Sequence, residues 1–277
     1  MDRLYRERFL RNIGIMDELG MEKLRTTPIA IGGLGLGGSI FINLVRQGFE
    51  DFHLADPDVY ERANFNRQRL AKENTIDRRK DDCLLEEARA INPDIRVKLF
   101  RAGVKPHNLD AFLEGRRWIV DVVDLFAMDD KLALNEEANR RGLNVVSSAS
   151  AGFMGLAIVF GPKTPSFAEL SGISPDQPYE ENFVRFLQFI APEIPDYMID
   201  QVFKAMNRQT HIPFAVEGVE IAAAMAASEI TKEVLGLGRR VLAPEGMFMD
   251  PIRMKAGTFE ANFRSRSFKR SLLRRVA

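Results

Sequence analysis

The feature that most restricts the fold of this chain is a glycine turn set between a short apolar run and a helical stretch. Gly33, Gly35 and Gly38 follow PIAIG in the pattern G-x-G-x-x-G, and SIFINLVRQG then reads as a helix ending at Gly48. FHLAD supplies a second strand, so the unit is strand, turn, helix, strand. The alternation continues through RRKDDCLLEEARAIN, IRVKLF, HNLDAFLEG, WIVDVVD, DDKLALNEEANRRG and NVVSSAS, with MGLAIVFG a further strand after a short turn. Apolar strands flanked by amphipathic helices imply a largely parallel sheet covered on both faces. The expected fold is α/β and Rossmann-like, with helices on both faces of a mostly parallel central sheet that continues into a mixed sheet in the C-terminal part.

Residues 1–26 read as a helical arm outside the sheet, and 27–160 as the nucleotide-binding core. Over 161–213 the periodicity blurs: PKTPSFAELSGISPDQPYEE reads as a loop, FVRFLQFI and IPDYMIDQVFKAM as short helices. A connector of that length is often functional. In 214–277, EGVEIAAAMAASEITKEVLG is a small-residue helix closed by Gly236, and RVLAPEGMFMD and RMKAGTFEANF are expected strands. The tail carries Arg264, Arg266, Lys269, Arg270, Arg274 and Arg275, which either stay solvated or attract an acidic partner.

In a strand-to-helix glycine turn, the first glycine permits the tight turn, the second admits a phosphate to the backbone, and the third allows close helix packing. Amides at the helix start then hold anionic oxygens. Such turns also serve NAD, FAD and SAM proteins, so the glycines alone indicate only a nucleotide. Asp56 ends the second strand, where a carboxylate accepts from ribose hydroxyls; Asp58 reads as a solvated turn residue. Arg67, within N-F-N-R-Q (Asn64 to Gln68), has no task in a dehydrogenase, whereas a triphosphate needs cations at its outer phosphates. Lys80 heads an apolar helical stripe with Leu84, Ala88 and Ile91, and is directed toward the sheet unless its stem snorkels to water. Asp121 and Asp124 fall near the end of WIVDVVD; Asp124 is the better magnesium ligand, with a helix cap as its plainer role.

Charge and cysteine usage narrow the partners. The 39 basic and 39 acidic residues cancel, so neither nucleic acid nor membrane is expected as a partner. One cysteine, Cys83, and three histidines give no zinc spacing, so no zinc is expected. The charged N-terminus and the lack of a long apolar run point to a cytoplasmic protein.

Taken in order, G-L-G-L-G-G-S, L-A-D-P-D, N-F-N-R-Q, Lys80, A-I-N-P-D and D-V-V-D closely resemble the ThiF/MoeB/HesA family, relatives of the ubiquitin-activating enzymes. The likeness runs from about Arg8 to Phe160 and resumes in the helix after Pro213. It implies a single ThiF-type adenylation domain over 1–277 that uses ATP and Mg2+. The implied reaction is attack of a carboxylate, such as the C-terminus of a peptide or small ubiquitin-like protein, on the α-phosphate. By resemblance Asp56 holds ribose, Asn64 and Arg67 contact phosphates, Gln68 joins the nucleotide-binding set, Lys80 meets the transferring phosphate, and Asp124 binds magnesium. Arg11 resembles an arginine that reaches the other subunit's ATP, which implies a homodimer. Two departures stand out. Leu125 replaces the asparagine that usually follows Asp124, and Cys83 is the only cysteine, which reads as a core residue and leaves no thioester step. Two other classes share part of this pattern: an NAD- or FAD-dependent oxidoreductase using the glycine turn and Asp56, and a non-catalytic nucleotide-binding partner subunit.

Overall fold

The computed structural model of the protein describes residues 2–206 and 208–264. Two helices open the chain, α1 (Arg3–Arg8) and α2 (Glu18–Thr26); Asp2 caps the first by accepting from Tyr5 N, and Asp17 the second by accepting from Gly20 N. There follow β1 (Pro28–Gly32), α3 (Leu36–Gln47), β2 (Asp51–Ala55), α4 (Lys80–Ile91), β3 (Arg96–Phe100), α5 (Leu109–Leu113), β4 (Trp118–Asp121), α6 (Met128–Arg140), β5 (Asn144–Ala151) and β6 (Met154–Phe160). The chain continues through α7 (Phe167–Ser171), α8 (Tyr179–Ile190), α9 (Ile199–Met206), α10 (Val216–Leu235), β7 (Glu245–Asp250) and β8 (Lys255–Glu260).

Among the described residues all eight strands form one sheet in the order β3-β2-β1-β4-β5-β6-β7-β8. The first five in that order are parallel, and β6, β7 and β8 extend it antiparallel. Alternate residues of each central strand face opposite sides. Ile29, Ile31 and Val120 join a core with α3, α4 and α10, while Ala30 and Ile119 join a second core with α5, α6 and α8. Burial on both faces is why PIAIG and WIVD are continuously apolar rather than alternating.

Two sequence expectations need correction. PKTPSFAELSG is not all loop, because Ser166 and Glu169 form a reciprocal capping box that starts α7. The strand WIVDVVD stops at Asp121, so Asp124 stands three residues beyond the strand and caps the short 3-10 turn Leu125–Ala127. Arg266, Lys269, Arg270, Arg274 and Arg275 of the basic tail lie outside the described residues. Among the described residues no helix is long and apolar enough to cross a membrane.

Candidate functional site

In the strand order, β1 has β2 on one side and β4 on the other, so the chain reverses its direction of travel across the sheet between β1 and β4. A crevice opens at the carboxyl ends of strands at such a point. The glycine turn lies there. Gly33 has φ +88, and a Cβ on it would overlap the carbonyl oxygen of Val122 in the loop after β4. Gly33 N donates to Ala55 O at 2.9 Å, so the turn also ties down the end of β2. Gly35 caps α3 without any side-chain hydrogen bond, and a Cβ on Gly38 would come within 3.2 Å of Leu84, which is how α3 and α4 pack closely. The first amides of α3 therefore have no side-chain cap. Gly33→Ala should lose about 1–3 kcal/mol of stability from backbone strain alone, read as a lower urea midpoint. Gly35→Ala, at ordinary φ, should fold nearly as well and differ only in nucleotide affinity.

Asp56 is buried, and its carboxylate already accepts from Leu34 N at 2.5 Å and Asp58 N at 2.8 Å. It thus shapes the glycine turn itself, a role the sequence reading did not include. Burial raises its pKa, and the nearby Lys80 ammonium is the main opposing influence. Lys80, the first residue of α4, is only 6% exposed, and its Nζ lies 2.9 Å from Asp58 Oδ2 and 4.0 Å from Asp56 Oδ1. It points toward the sheet as expected. Asp58 is exposed, but it is an ion-pair partner of Lys80 rather than a merely solvated turn residue.

Asn64 spends its side-chain oxygen on Glu61 N at 3.0 Å, closing the 3-10 turn Arg62–Asn64. Arg67 donates to Ala63 O and Asn66 Oδ1, and its guanidinium lies 5.2 Å from the ring centre of Phe214. Burial lowers its pKa, against the pull of the Asp124 charge, so these two residues are electrostatic neighbours. Gln68 is buried beside Gly35, and its Oε1 has no hydrogen-bond partner. A buried acceptor left open in this way calls for a donor from water or ligand. Sequence reasoning missed the anchors of this loop. Asn66 donates to Phe214 O at 2.8 Å, while Glu220 of α10 accepts from both Ser39 and Arg69 at 2.7 and 2.6 Å. Their distance in sequence, about 150 residues or more, hid them from any local pattern.

Asp124 is exposed, and its Oδ1 accepts from Phe126 N at 2.9 Å. Leu125 turns into apolar surroundings shared with the 161–213 segment. The departure from the expected asparagine is thus explained by packing. Behind the loop, Asp121 is fully buried and satisfied by Lys131 Nζ at 2.8 Å, Asn135 Nδ2 at 2.8 Å and Ser147 Oγ at 3.2 Å. Lys131 also donates to Val123 O at 3.3 Å, fixing the backbone just before Asp124.

The structure therefore gathers Gly33, Gly35, Gly38, Asp56, Gln68 and Lys80 around the turn, with Arg67 and Asp124 on adjoining loops. Arg11 is not among them. It is exposed on the 3-10 turn Leu10–Asn12, and Asn12 bonds to Gln47 O at the far end of α3 from Gly35, about 18 Å along the helix. Cys83 is buried, and burial raises its thiol pKa, as expected of a core residue. Among the described residues no group of three or more His, Cys, Asp or Glu is placed to hold a metal. Magnesium needs no such group, since one carboxylate with substrate phosphates suffices, and the exposed Asp124 with one oxygen outside its cap fits that donor set.

The ThiF family pattern matches residues 9–269. The chain is 30% identical to tRNA threonylcarbamoyladenosine dehydratase 1 of Saccharomyces cerevisiae, over 61% of this chain and 39% of that protein. It is 27% identical to the sulfur carrier protein ThiS adenylyltransferase of Bacillus subtilis, over 58% of this chain and 47% of that protein. The chain thus spans about half or less of the length of these curated relatives. Among solved structures it is similar in fold to PaaA, with TM-score 0.71 at 15% identity over 94% of this chain and 84% of that one. It is also similar to Escherichia coli MccB with ATP, with TM-score 0.71 at 16% identity over 95% of this chain and 72% of that one.

Proposed function

Since the chain belongs to the ThiF family, we propose that residues 1–277 act as one ATP-dependent adenylation domain that activates a carboxylate as an acyl-adenylate. One observation carries the reading. Beside the uncapped glycine turn at the β1–β4 switch point the buried Lys80 is paired with Asp58, and on adjoining loops Arg67 and Asp124 are electrostatic neighbours, which supports the reading. A ribose needs only the turn and Asp56, whereas this set suits a polyphosphate.

In the reaction a carboxylate oxygen attacks the α-phosphorus, the bond to the bridging oxygen breaks, and pyrophosphate leaves with the electron pair. No general base is required, because a carboxylate is ionised at neutral pH. The amides at the start of α3 bind phosphate oxygens, Lys80 meets the charge developing at the transferring phosphate, and Arg67 orients the outer phosphates. Asp124 would hold a magnesium ion, whose positive charge would offset the negative charge developing on the leaving pyrophosphate. Positioning of the two reactants supplies much of the rest. The buried Cys83 takes no part, so no thioester forms on this residue.

The substrate we favour is a carboxylate on a peptide or small carrier protein, presented under the 161–213 segment. The names of relatives support this class: a ThiS adenylyltransferase in sequence, and MccB with a MccA peptide in fold. We place the protein in the cytoplasm as a homodimer, with Arg11 completing the partner's site, since Arg11 is exposed and remote from its own glycine turn.

Exchange of labelled pyrophosphate into ATP tests the reading. With magnesium-ATP and a peptide substrate the protein should catalyse exchange, and Asp124→Ala should abolish it; wild-type exchange by that variant sinks the assignment. Tight NADH binding with no response to ATP would instead favour an oxidoreductase. The dimer makes a separate prediction. Mixing equal amounts of Arg11→Ala and Lys80→Ala should recover about a quarter of the activity, because about half of the dimers are hybrids and each hybrid has one intact site of two. No recovery removes Arg11 from the site.

A further inference from the structure

The charge around the candidate site is incomplete. Three carboxylates, Asp56, Asp58 and Asp124, face two cations, Lys80 and Arg67, where a triphosphate with several negative charges is to bind. Neighbouring arginines are committed elsewhere: Arg69 to Glu220, Arg79 to Asp81. Arg208, at the end of the 161–213 segment, has no carboxylate partner among the described residues.

Arg208 is also held in place. The segment folds over a small core of its own, formed by Phe183, Ile194, Met198, Val202 and Ala205, into which Leu125 and Tyr179 pack. The Tyr179 ring stacks on Phe126 at 6.0 Å, and the Arg208 guanidinium lies 4.3 Å from the centre of the same ring. Asp124 caps Phe126, so Asp124, Phe126, Tyr179 and Arg208 form one continuous contact path. Two further features mark the path as built for a ligand. Arg208 has φ +56, a left-handed conformation that costs an arginine about 1 kcal/mol or more. The Tyr179 hydroxyl is buried with no hydrogen-bond partner, a cost that a bound acceptor removes.

We propose that Arg208, oriented by the Tyr179 ring, binds the outer phosphates of ATP beside the Asp124 loop. The guanidinium presents paired N–H donors that match phosphate oxygens, and the aromatic face limits its rotamers before the ligand arrives. Leu125 then has a purpose: it fastens the Asp124 loop to the segment that carries Arg208, so both ends of the polyphosphate clamp move together.

The inference rests on the ATP reading, and one calorimetric series separates the two. Wild-type protein is titrated with magnesium-ATP and with AMP, and the titrations are repeated with Arg208→Ala and Arg208→Lys. Arg208→Ala should weaken ATP binding about tenfold or more, the loss of a charge-assisted contact, while AMP binding stays within about twofold. Arg208→Lys should recover part of the ATP affinity, because charge returns without the planar fork. Equal losses for ATP and AMP, or no loss for either, overturn the assignment of Arg208 and leave the ATP site standing. Failure of the wild-type protein to bind ATP overturns the functional reading itself.

Discussion

Lys80→Ala is expected to lower the rate of pyrophosphate exchange by about a hundredfold to a thousandfold, the range found when one preorganised donor to a transition state is removed. The size of the effect follows from placement. The ammonium is 6% exposed, set at the head of α4 beside the glycine turn, so its field acts through a medium where water screens little. Lys80→Arg should restore only part of the rate, since a planar fork cannot occupy the same point. A second consequence concerns pH. Burial already raises the Asp56 pKa, and Lys80 is the largest influence holding it down, so the alanine variant should titrate Asp56 at higher pH than the wild type. ATP affinity of the variant should therefore fall at a higher pH as acid is added, because a protonated Asp56 loses its charge and turns one of its two acceptor oxygens into a donor. The sign for stability is opposite. A carboxyl group whose folded pKa is raised takes up its proton in the folded state first, so the variant should gain stability relative to wild type as pH drops from neutral toward the ordinary carboxylate range. Unchanged exchange rates in Lys80→Ala would remove Lys80 from the chemistry.

Lys131→Met should cost about 3–5 kcal/mol of folding stability, the largest loss foreseen for a single substitution in this chain. Asp121 is fully buried, and Lys131 is the cation that compensates it at 2.8 Å. Methionine fills a similar volume, so the loss reports an unpaired charge rather than a cavity. The variant should also bind ATP less tightly at a temperature where it is still folded, because Lys131 holds the Val123 carbonyl immediately before Asp124. The double variant Lys131→Met with Asp121→Leu removes both charges and should recover most of the stability without recovering the affinity. A urea-unfolding free energy within about 1 kcal/mol of wild type for the single variant would contradict the buried-pair argument.

Much of this protein is local and was therefore legible in order along the chain. The glycine turn, the helix end at Gly48, the apolar strands and the caps each follow from a few adjacent residues, whose backbone preferences and period decide the element. Gly33, Gly35, Gly38, Asp56 and Lys80 fall at a turn, a strand end and a helix start that the local pattern marks, whereas Arg67 and Asp124 stand on loops. What the sequence could not state is which distant groups meet. The clamp of Glu220 on Ser39 and Arg69, the neutralisation of Asp121 by Lys131, and the seat of Arg208 over Tyr179 all depend on packing across elements. Asp58 and Leu125 show the same limit. Asp58 was read from its neighbours as a turn residue and Leu125 as a departure from the family pattern, and each took its role from a partner in space, Lys80 for the first and the core of the 161–213 segment for the second. Sequence determined the elements and the type of ligand they suit, because these follow from short-range geometry. Tertiary structure decided the charge balance and the anchoring of the site, because those arise only when the folded chain brings remote side chains within a few ångströms.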